Sequence, residues 1–202
     1  MPNWCECDLV VEGPTSDVND FLNAITQEDE KDGTYYSILA TQVPKPDILD
    51  RTVSPIEIVD TQEEADEINE KYKDGNGPFG RKENGIRAMT QATKDHLMAT
   101  YGAHDWYEWA WNNWGTKWGD CDTYIDDEMS YEYDGETVKY ITFSSAWSPP
   151  TEGFFTLSKK WPTLKFTMSF FESGMGFNGR YSVQNGEVLE DVTADYFGHR
   201  GG

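Results

Sequence analysis

The chain of 202 residues carries 37 acidic and 16 basic residues, a formal net charge of −21, and 14% aromatic residues. This charge argues against direct binding to nucleic acid or to an anionic membrane surface, because both are themselves negatively charged. The aromatic content is too high for an acidic disordered chain, so we expect a folded protein with a substantial core.

The three cysteines, Cys5, Cys7 and Cys121, are an odd number and have no CxxC spacing. This pattern favours free thiols in a reducing compartment over a disulfide framework. The first residues, MPNWCECDLVVEG, lack the basic start and long apolar run of a signal peptide, and eighteen apolar residues nowhere follow one another. We therefore expect a cytoplasmic protein, in the host cell, without a membrane-spanning segment.

The first elements are a strand and a helix. Residues 4–12 alternate in polarity and are followed by Gly13-Pro14, which predicts a strand. Thr15 or Ser16 is expected to cap the helix that follows. The apolar residues of this helix share one face at the i, i+3, i+4, i+7 spacing: Val18, Phe21, Leu22 and Ile25.

Residues 28–87 show less periodicity and are interpreted as an irregular, partly mobile insertion, with a short acidic helix near Thr61–Tyr72. The glycine-rich stretch DGNGPFG at 74–80 lacks the Lys-Ser/Thr ending of a phosphate loop and a preceding apolar strand. We assign it no chemistry.

A helix is predicted from Ile86 to about Tyr101, and a second one from near Asp105 to Gly115. The stretch YGAHDWYEWAWNNWGTKW at 101–118 holds five of the eight tryptophans. Such density indicates either a core or a contact surface, and we assign it mainly to the core. The predicted core tryptophans are Trp106, Trp109, Trp111, Trp114, Trp118 and Trp147.

Two strands, 123–133 and 137–145, flank Asp134-Gly135, a strong hairpin signal. Pro149-Pro150 precedes a helix with Phe154, Phe155 and Leu157. A strand follows Pro162, and a last hairpin is centred on Asn185-Gly186. The tail DYFGHRGG is expected to fray.

These elements predict an α+β fold: an antiparallel sheet with helices packed on one face, plus an irregular insertion. Residues 1–27 supply a strand and helix of the main domain, 28–87 form the insertion, and 88–202 form the rest of the α+β portion.

Five short segments stand out in this order: PNWC at 2–5, DWYEW at 105–109, NWGTKW at 113–118, AWSPP at 146–150 and FFESGMGFNG at 170–179. Together they resemble phage and plasmid proteins of the Api92-like group, whose C-terminal part is called a YubB ferredoxin-like domain. The resemblance implies a ferredoxin-like fold and an origin on a mobile genetic element, and it transfers no catalytic residues. The name refers to topology, since three cysteines cannot supply the four thiolates of an iron–sulfur cluster.

The segment DCDTYIDDEMSYEYDGE at 120–136 places eight carboxylates in seventeen positions. Three interpretations stay open. The carboxylates of Asp120, Asp122, Asp126, Asp127 and Glu128 could bind Ca²⁺ or Mg²⁺, although their spacing is not that of an EF-hand, so we assign no metal site. The run could instead be a solvated edge that prevents aggregation.

In the third interpretation, carboxylates about 6.7 Å apart on one strand imitate the phosphates of a nucleic acid and fit a basic groove. The predicted partner-binding residues are the eight carboxylates of this run: Asp120, Asp122, Asp126, Asp127, Glu128, Glu132, Asp134 and Glu136.

Catalysis is not expected, because no nucleophile with a base partner is visible and the three histidines are isolated. His104 and Asp105 are adjacent on a helix, so they do not face each other. We expect no cofactor.

The sequence therefore predicts a non-enzymatic protein that binds and inhibits a basic host protein, such as a nuclease or another defence complex. One alternative is a nucleotide-binding protein that stacks bases on its tryptophans, although only Lys117, Lys159, Lys160 and Arg180 lie near in sequence to meet phosphate. The other is an acidic structural or interaction domain without an inhibitory role. The sequence does not predict an oligomeric state.

Overall fold

The computed structural model describes residues 3–29, 33–72 and 85–195. The strands are β1 (Trp4–Pro14), β2 (Thr26–Asp29), β3 (Gly33–Tyr36), β4 (Thr52–Val59), β5 (Ile86–Thr90), β6 (Cys121–Tyr133), β7 (Glu136–Ala146), β8 (Lys165–Glu172), β9 (Phe177–Gln184) and β10 (Glu187–Asp195). The helices are α1 (Thr15–Ile25), α2 (Leu39–Gln42), α3 (Asp47–Asp50), α4 (Gln62–Lys71), α5 (Gln91–Tyr101), α6 (Trp106–Trp114) and α7 (Thr151–Lys160).

The chain divides into two compact units. The first unit joins Met1–Pro44 with Asn113–Gly202, and the second is Lys45–Asn112. In sequence, the second unit is inserted between the two segments of the first. It spans residues 45–112, whereas the predicted insertion spans residues 28–87.

A six-stranded antiparallel sheet forms the centre of the first unit, in the order β10-β9-β8-β1-β7-β6. Taken along the chain, β1, α1, β6, β7, α7 and β8 form a βαββαβ unit, and β9 and β10 extend its sheet. This is the ferredoxin-like arrangement. It confirms the predicted α+β class with an antiparallel sheet.

The core lies on one face of this sheet. Phe154 of α7 packs between Phe143 of β7 and Phe166 of β8, with ring centroids 5.9 and 6.0 Å apart. Phe21 of α1 meets Phe166 edge-on at 5.5 Å. Aromatic pairs at these distances add to the free energy gained by burying their area. Both helices therefore cover the same face.

Helix α1 has the predicted buried face but not the predicted cap. Val18, Phe21 and Ile25 are buried, as the spacing predicts. The helix begins directly after Pro14, and no side chain caps it. The Thr15 hydroxyl lies 2.9 Å from the Thr137 hydroxyl of β7 instead, so this residue ties the helix to the sheet.

The described part of 28–87 is more regular than its sequence pattern indicates. Strands β2 and β3 pair antiparallel in the first unit, and β4 pairs in parallel with β5 in the second. The β4–β5 pair joins segments far apart in sequence, which local periodicity cannot reveal. The stretch DGNGPFG and the tail beyond Asp195 lie outside the described residues.

Within the second unit, the predicted acidic helix is confirmed as α4, with a capping box between Thr61 and Glu64. The predicted helix from Ile86 was wrong at its start, because Ile86–Thr90 form strand β5 and the helix begins at Gln91. The backbone amides of Arg87 and Ala88 both donate to the Asn69 side chain of α4. These bonds hold the chain extended.

No helix in the described ranges is long and apolar enough to cross a membrane.

Candidate functional site

The acidic run lies on β6, the edge strand of the six-stranded sheet. Strand β6 reaches β7 through the predicted turn, in which Asp134 and Gly135 have φ angles of +53° and +82°. Two positive φ angles match the right-handed twist of the paired strands. The Gly135 carbonyl accepts the Thr15 amide at 2.9 Å, which fixes the turn against the start of α1.

Asp126 shapes the backbone of β6. Its carboxylate accepts the amides of Glu128 and Met129, each at 3.0 Å. The pairing with β7 shifts register between Asp126 and Tyr131, so the residues between them are outside the regular ladder. A bulge of this kind interrupts an edge strand and impedes pairing with another chain. Asp126, which the sequence assigns to partner binding, thus uses its Oδ1 within the strand.

Asp120 likewise has a structural role. Its carboxylate accepts the amides of Ile38 and Leu39 at 2.5 and 2.8 Å, and the Thr123 hydroxyl at 3.1 Å. Burial raises the pKa of this carboxyl, while these hydrogen bonds act in the opposite direction. Asp120 thus caps the start of α2.

We expect Asp120→Ala to lower the free energy of unfolding by about 2 kcal/mol, because two backbone amides lose their acceptor. Urea unfolding measures the loss. The control is Glu128→Ala, which removes an exposed carboxylate from the same strand and should change stability by less than about 0.5 kcal/mol. Equal losses in the two variants would contradict the capping role.

The other six predicted carboxylates are exposed: Asp122, Asp127, Glu128, Glu132, Asp134 and Glu136. Asp127 forms an ion pair with Lys139 at 2.8 Å. Lys139 is the only basic residue between 120 and 146, so the hairpin is strongly negative even after this pair is counted.

Exposed tyrosines accompany these carboxylates and were not among the predicted site residues. Tyr124, Tyr131 and Tyr133 are 62%, 57% and 78% exposed. Their alternation with acidic residues in the sequence was the available signal. The alternation of residues along a strand does not predict which face of the sheet the helices cover, and so it does not predict that these tyrosines are exposed.

A metal site finds no support in this hairpin. Among residues 3–29, 33–72 and 85–195, no three His, Cys, Asp or Glu side chains are grouped to hold a metal ion. Two of the carboxylates that the metal interpretation needs, those of Asp120 and Asp126, accept backbone amides instead.

Three of the predicted core tryptophans belong to the first unit. Trp114 is buried and its indole N–H donates to the Val43 carbonyl at 2.9 Å. Trp118 is half-buried, 6.0 Å from the Trp4 ring. Trp147 is 42% exposed, so its core assignment was wrong. It follows the last residue of β7 with a φ of +75°, and its amide donates to the Asn3 carbonyl.

The other three belong to the second unit. Trp109 is buried, and Trp106 is half-buried with Lys45 Nζ 5.3 Å from its ring centroid. Trp111 is 47% exposed and stacks on Tyr107 at 6.4 Å, which corrects its core assignment. Residues 107 and 111 lie one helical turn apart, so they share a face, and α6 leaves that face exposed.

The histidine and cysteine geometry favours structural roles. His104 Nδ1 lies 2.5 Å from a Glu108 oxygen, which also accepts the His104 amide, while the adjacent Asp105 caps α6 through the Glu108 amide. Burial raises the pKa of the Cys7 thiol well above its ordinary value and that of Cys121 to about 11. A raised pKa disfavours the thiolate, the nucleophilic form.

Four of the five segments that carry the resemblance meet at one end of the sheet. The Trp147 amide in AWSPP bonds to Asn3 in PNWC, and the Thr116 hydroxyl in NWGTKW donates to the Ala146 carbonyl at 2.6 Å. In FFESGMG, buried Glu172 accepts the amides of Gly174 and Met175, and Gly174 lies against the Asn3 side chain. These contacts give the segments an architectural role.

Comparison with known proteins agrees with this architecture. Residues 113–199 match the family model described as a ferredoxin-like domain in Api92-like protein. The crystal structure of a protein api92 from Yersinia pseudotuberculosis superposes with a TM-score of 0.51 at 12% identity, over 98% of this chain and 99% of that one. A search of curated proteins found no match. At this identity the structural likeness shows the fold alone.

The comparisons thus confirm the resemblance inferred from the five segments: residues 113–199 match the ferredoxin-like domain of Api92-like proteins, and the fold of the chain is similar to that of api92.

Proposed function

We propose that this protein is a non-catalytic binding protein whose β6–β7 hairpin engages a basic protein of the host cell and inhibits it. The observation that carries the proposal is the β6–β7 hairpin, which displays six exposed carboxylates beside three exposed tyrosines. Charges guide association and aromatic side chains supply anchoring energy at protein interfaces.

The charge of the whole chain supports this choice of partner. A net charge of −21 attracts a basic surface from a distance and speeds encounter with it. In the host of a phage or plasmid, basic grooves belong to nucleases and other enzymes that bind nucleic acid. A hairpin bound in the basic groove of its partner would keep nucleic acid out of that groove and would thereby inhibit the partner.

The first test neutralises four exposed carboxylates of the hairpin in one variant: Glu128→Gln, Glu132→Gln, Asp134→Asn and Glu136→Gln. None of these side chains has a described partner in the fold, and asparagine suits the positive φ of position 134. At about 0.2–1 kcal/mol per exposed charge, we expect the loss of four charges to lower affinity for the partner by roughly fourfold to several hundredfold.

The control removes the same number of charges from exposed positions of the second unit: Glu57→Gln, Asp60→Asn, Glu63→Gln and Glu67→Gln. Immobilised wild type and both variants are exposed to host lysate at low and at high salt. The proposal requires a basic protein that the wild type and the control retain at low salt, and that both release at high salt.

Retention by all three proteins alike, or retention insensitive to salt, would overturn the proposal. If nothing is retained, the carboxylates act only as a solvated edge that prevents strand pairing. A rise in melting temperature with nucleotides alone would favour the nucleotide-binding alternative.

A further inference from the structure

The tyrosines of β6 lie on the face of the sheet opposite the helices. Tyr131 and Tyr124 are the register partners of Val138 and Thr142 in β7. Those β7 residues alternate with Ile141 and Phe143, which are buried on the helix-covered face. Because successive residues of a strand point to opposite faces, both tyrosines belong to the open face of the sheet.

Three carboxylates of β1 share this open face. Glu12, Asp8 and Glu6 are the register partners of Val138, Thr142 and Ser144. The rows through Val138, Thr142 and Ser144 therefore run from β6 across β7 to an acidic residue of β1, whereas the row through Tyr140 ends at Val10. The first row places Tyr131, Val138 and Glu12 side by side, and another places Tyr124, Thr142 and Asp8 together.

Basic side chains are confined to the other half of this face. Lys165 of β8 pairs with Glu12 at 3.0 Å, and Arg180 of β9 pairs with Glu190 at 3.1 Å. On β6, β7 and β1, no lysine or arginine occupies a position of the open face. The surface formed by Tyr124, Tyr131, Glu6, Asp8 and Glu12, here called the tyrosine–carboxylate face, is aromatic and has a net negative charge after the Glu12–Lys165 pair is counted.

We propose that the tyrosine–carboxylate face binds arginine side chains of an arginine-rich segment in the partner protein. A guanidinium group stacks on a tyrosine ring and donates to a carboxylate through its planar fork. A lysine ammonium carries the same charge but neither stacks flat nor forms a fork. This inference rests on the proposed function and specifies the chemistry of the partner.

Two synthetic peptides of equal length, one of arginine and one of lysine residues, test the inference on the intact protein. Both cations are attracted to a ring face, but only a guanidinium also stacks flat on it and forks onto a carboxylate, so the arginine peptide should bind roughly several-fold more tightly. The variant Tyr124→Leu with Tyr131→Leu keeps the carboxylates but removes the stacking surface, so it should lower that ratio. Isothermal titration calorimetry measures both affinities.

Two further variants separate recognition from folding. Tyr124→Phe with Tyr131→Phe keeps both rings and should keep the preference for arginine. Tyr101→Leu with Tyr107→Leu removes two exposed tyrosines of the second unit and should leave the ratio unchanged. The thermal unfolding midpoint of each variant checks that the fold persists, and the phenylalanine pair remains informative if the leucine pair unfolds.

The outcomes distinguish the inference from the proposed function. Equal affinities for the two peptides, unchanged by the leucine pair, would overturn the inference while the acidic hairpin could still bind a basic partner. Absence of binding by either peptide, or binding that persists when the four hairpin carboxylates are neutralised, would count against the proposed function itself.

Discussion

Phe154→Ala should lower the free energy of unfolding by about 3–5 kcal/mol. Phe154 is fully buried, and its ring contacts Phe143 and Phe166 from two strands of the sheet. Truncation loses the transfer free energy of the ring and leaves a cavity between α7 and the sheet, which neighbouring aromatic rings cannot fill. Because whole domains are stable by only about 5–15 kcal/mol, this is a large fraction of the total.

The neighbouring residue provides the control for this variant. Phe155 lies on the same helix, is only half-buried, and has Lys159 Nζ 3.9 Å from its ring centroid. Phe155→Ala should therefore cost about 1 kcal/mol. Chemical denaturation compares the two variants. Similar losses would mean that Phe154 does not hold α7 to the sheet in the way described.

Gly179→Ala should destabilise the protein by about 3 kcal/mol, the upper part of the range for an overpacked site. Gly179 lies in β9 and is the register partner of Phe170 in β8 and Thr193 in β10. A methyl group at this position would collide with the Phe170 ring and with the Val192 carbonyl. The backbone oxygen cannot move without disturbing the pairing of β9 with β10.

Asn178→Ala is the control for Gly179→Ala, since residue 178 is adjacent in β9 and points to the opposite face. This change should alter stability by less than about 0.5 kcal/mol. Thermal unfolding monitored by tryptophan fluorescence distinguishes the two. A fully stable Gly179→Ala variant would show that β10 can shift away from β9 at little cost.

Local signals in the sequence predicted most elements of the sheet. Asp134-Gly135 and Asn185-Gly186 predicted both hairpins, because asparagine, aspartate and glycine tolerate the positive φ that tight hairpin turns need. The buried face of α1 followed from spacing alone. The predicted start of α5 was wrong, because pairing with β4 and hydrogen bonds to Asn69 hold Ile86–Thr90 in an extended conformation.

The candidate site was predicted only in part. Their positions in the acidic run do not distinguish Glu132, which is exposed, from Asp120, whose carboxylate accepts backbone amides 81 and 82 residues away along the chain. Nor could tryptophan density separate buried Trp114 from exposed Trp147. In each case the role depends on a contact made by a distant segment, and composition carries no information about that contact.

The sequence by itself determined the alternation of the strands, the turn chemistry of the hairpins, the charge of −21 and the resemblance to Api92-like proteins. Tertiary structure alone decided that β1 lies between β7 and β8, which aligns Glu6, Asp8 and Glu12 with the face that holds Tyr124 and Tyr131. The physical reason is that propensity and periodicity act over a few residues, whereas strand order is set by burying one shared apolar face beneath α1 and α7.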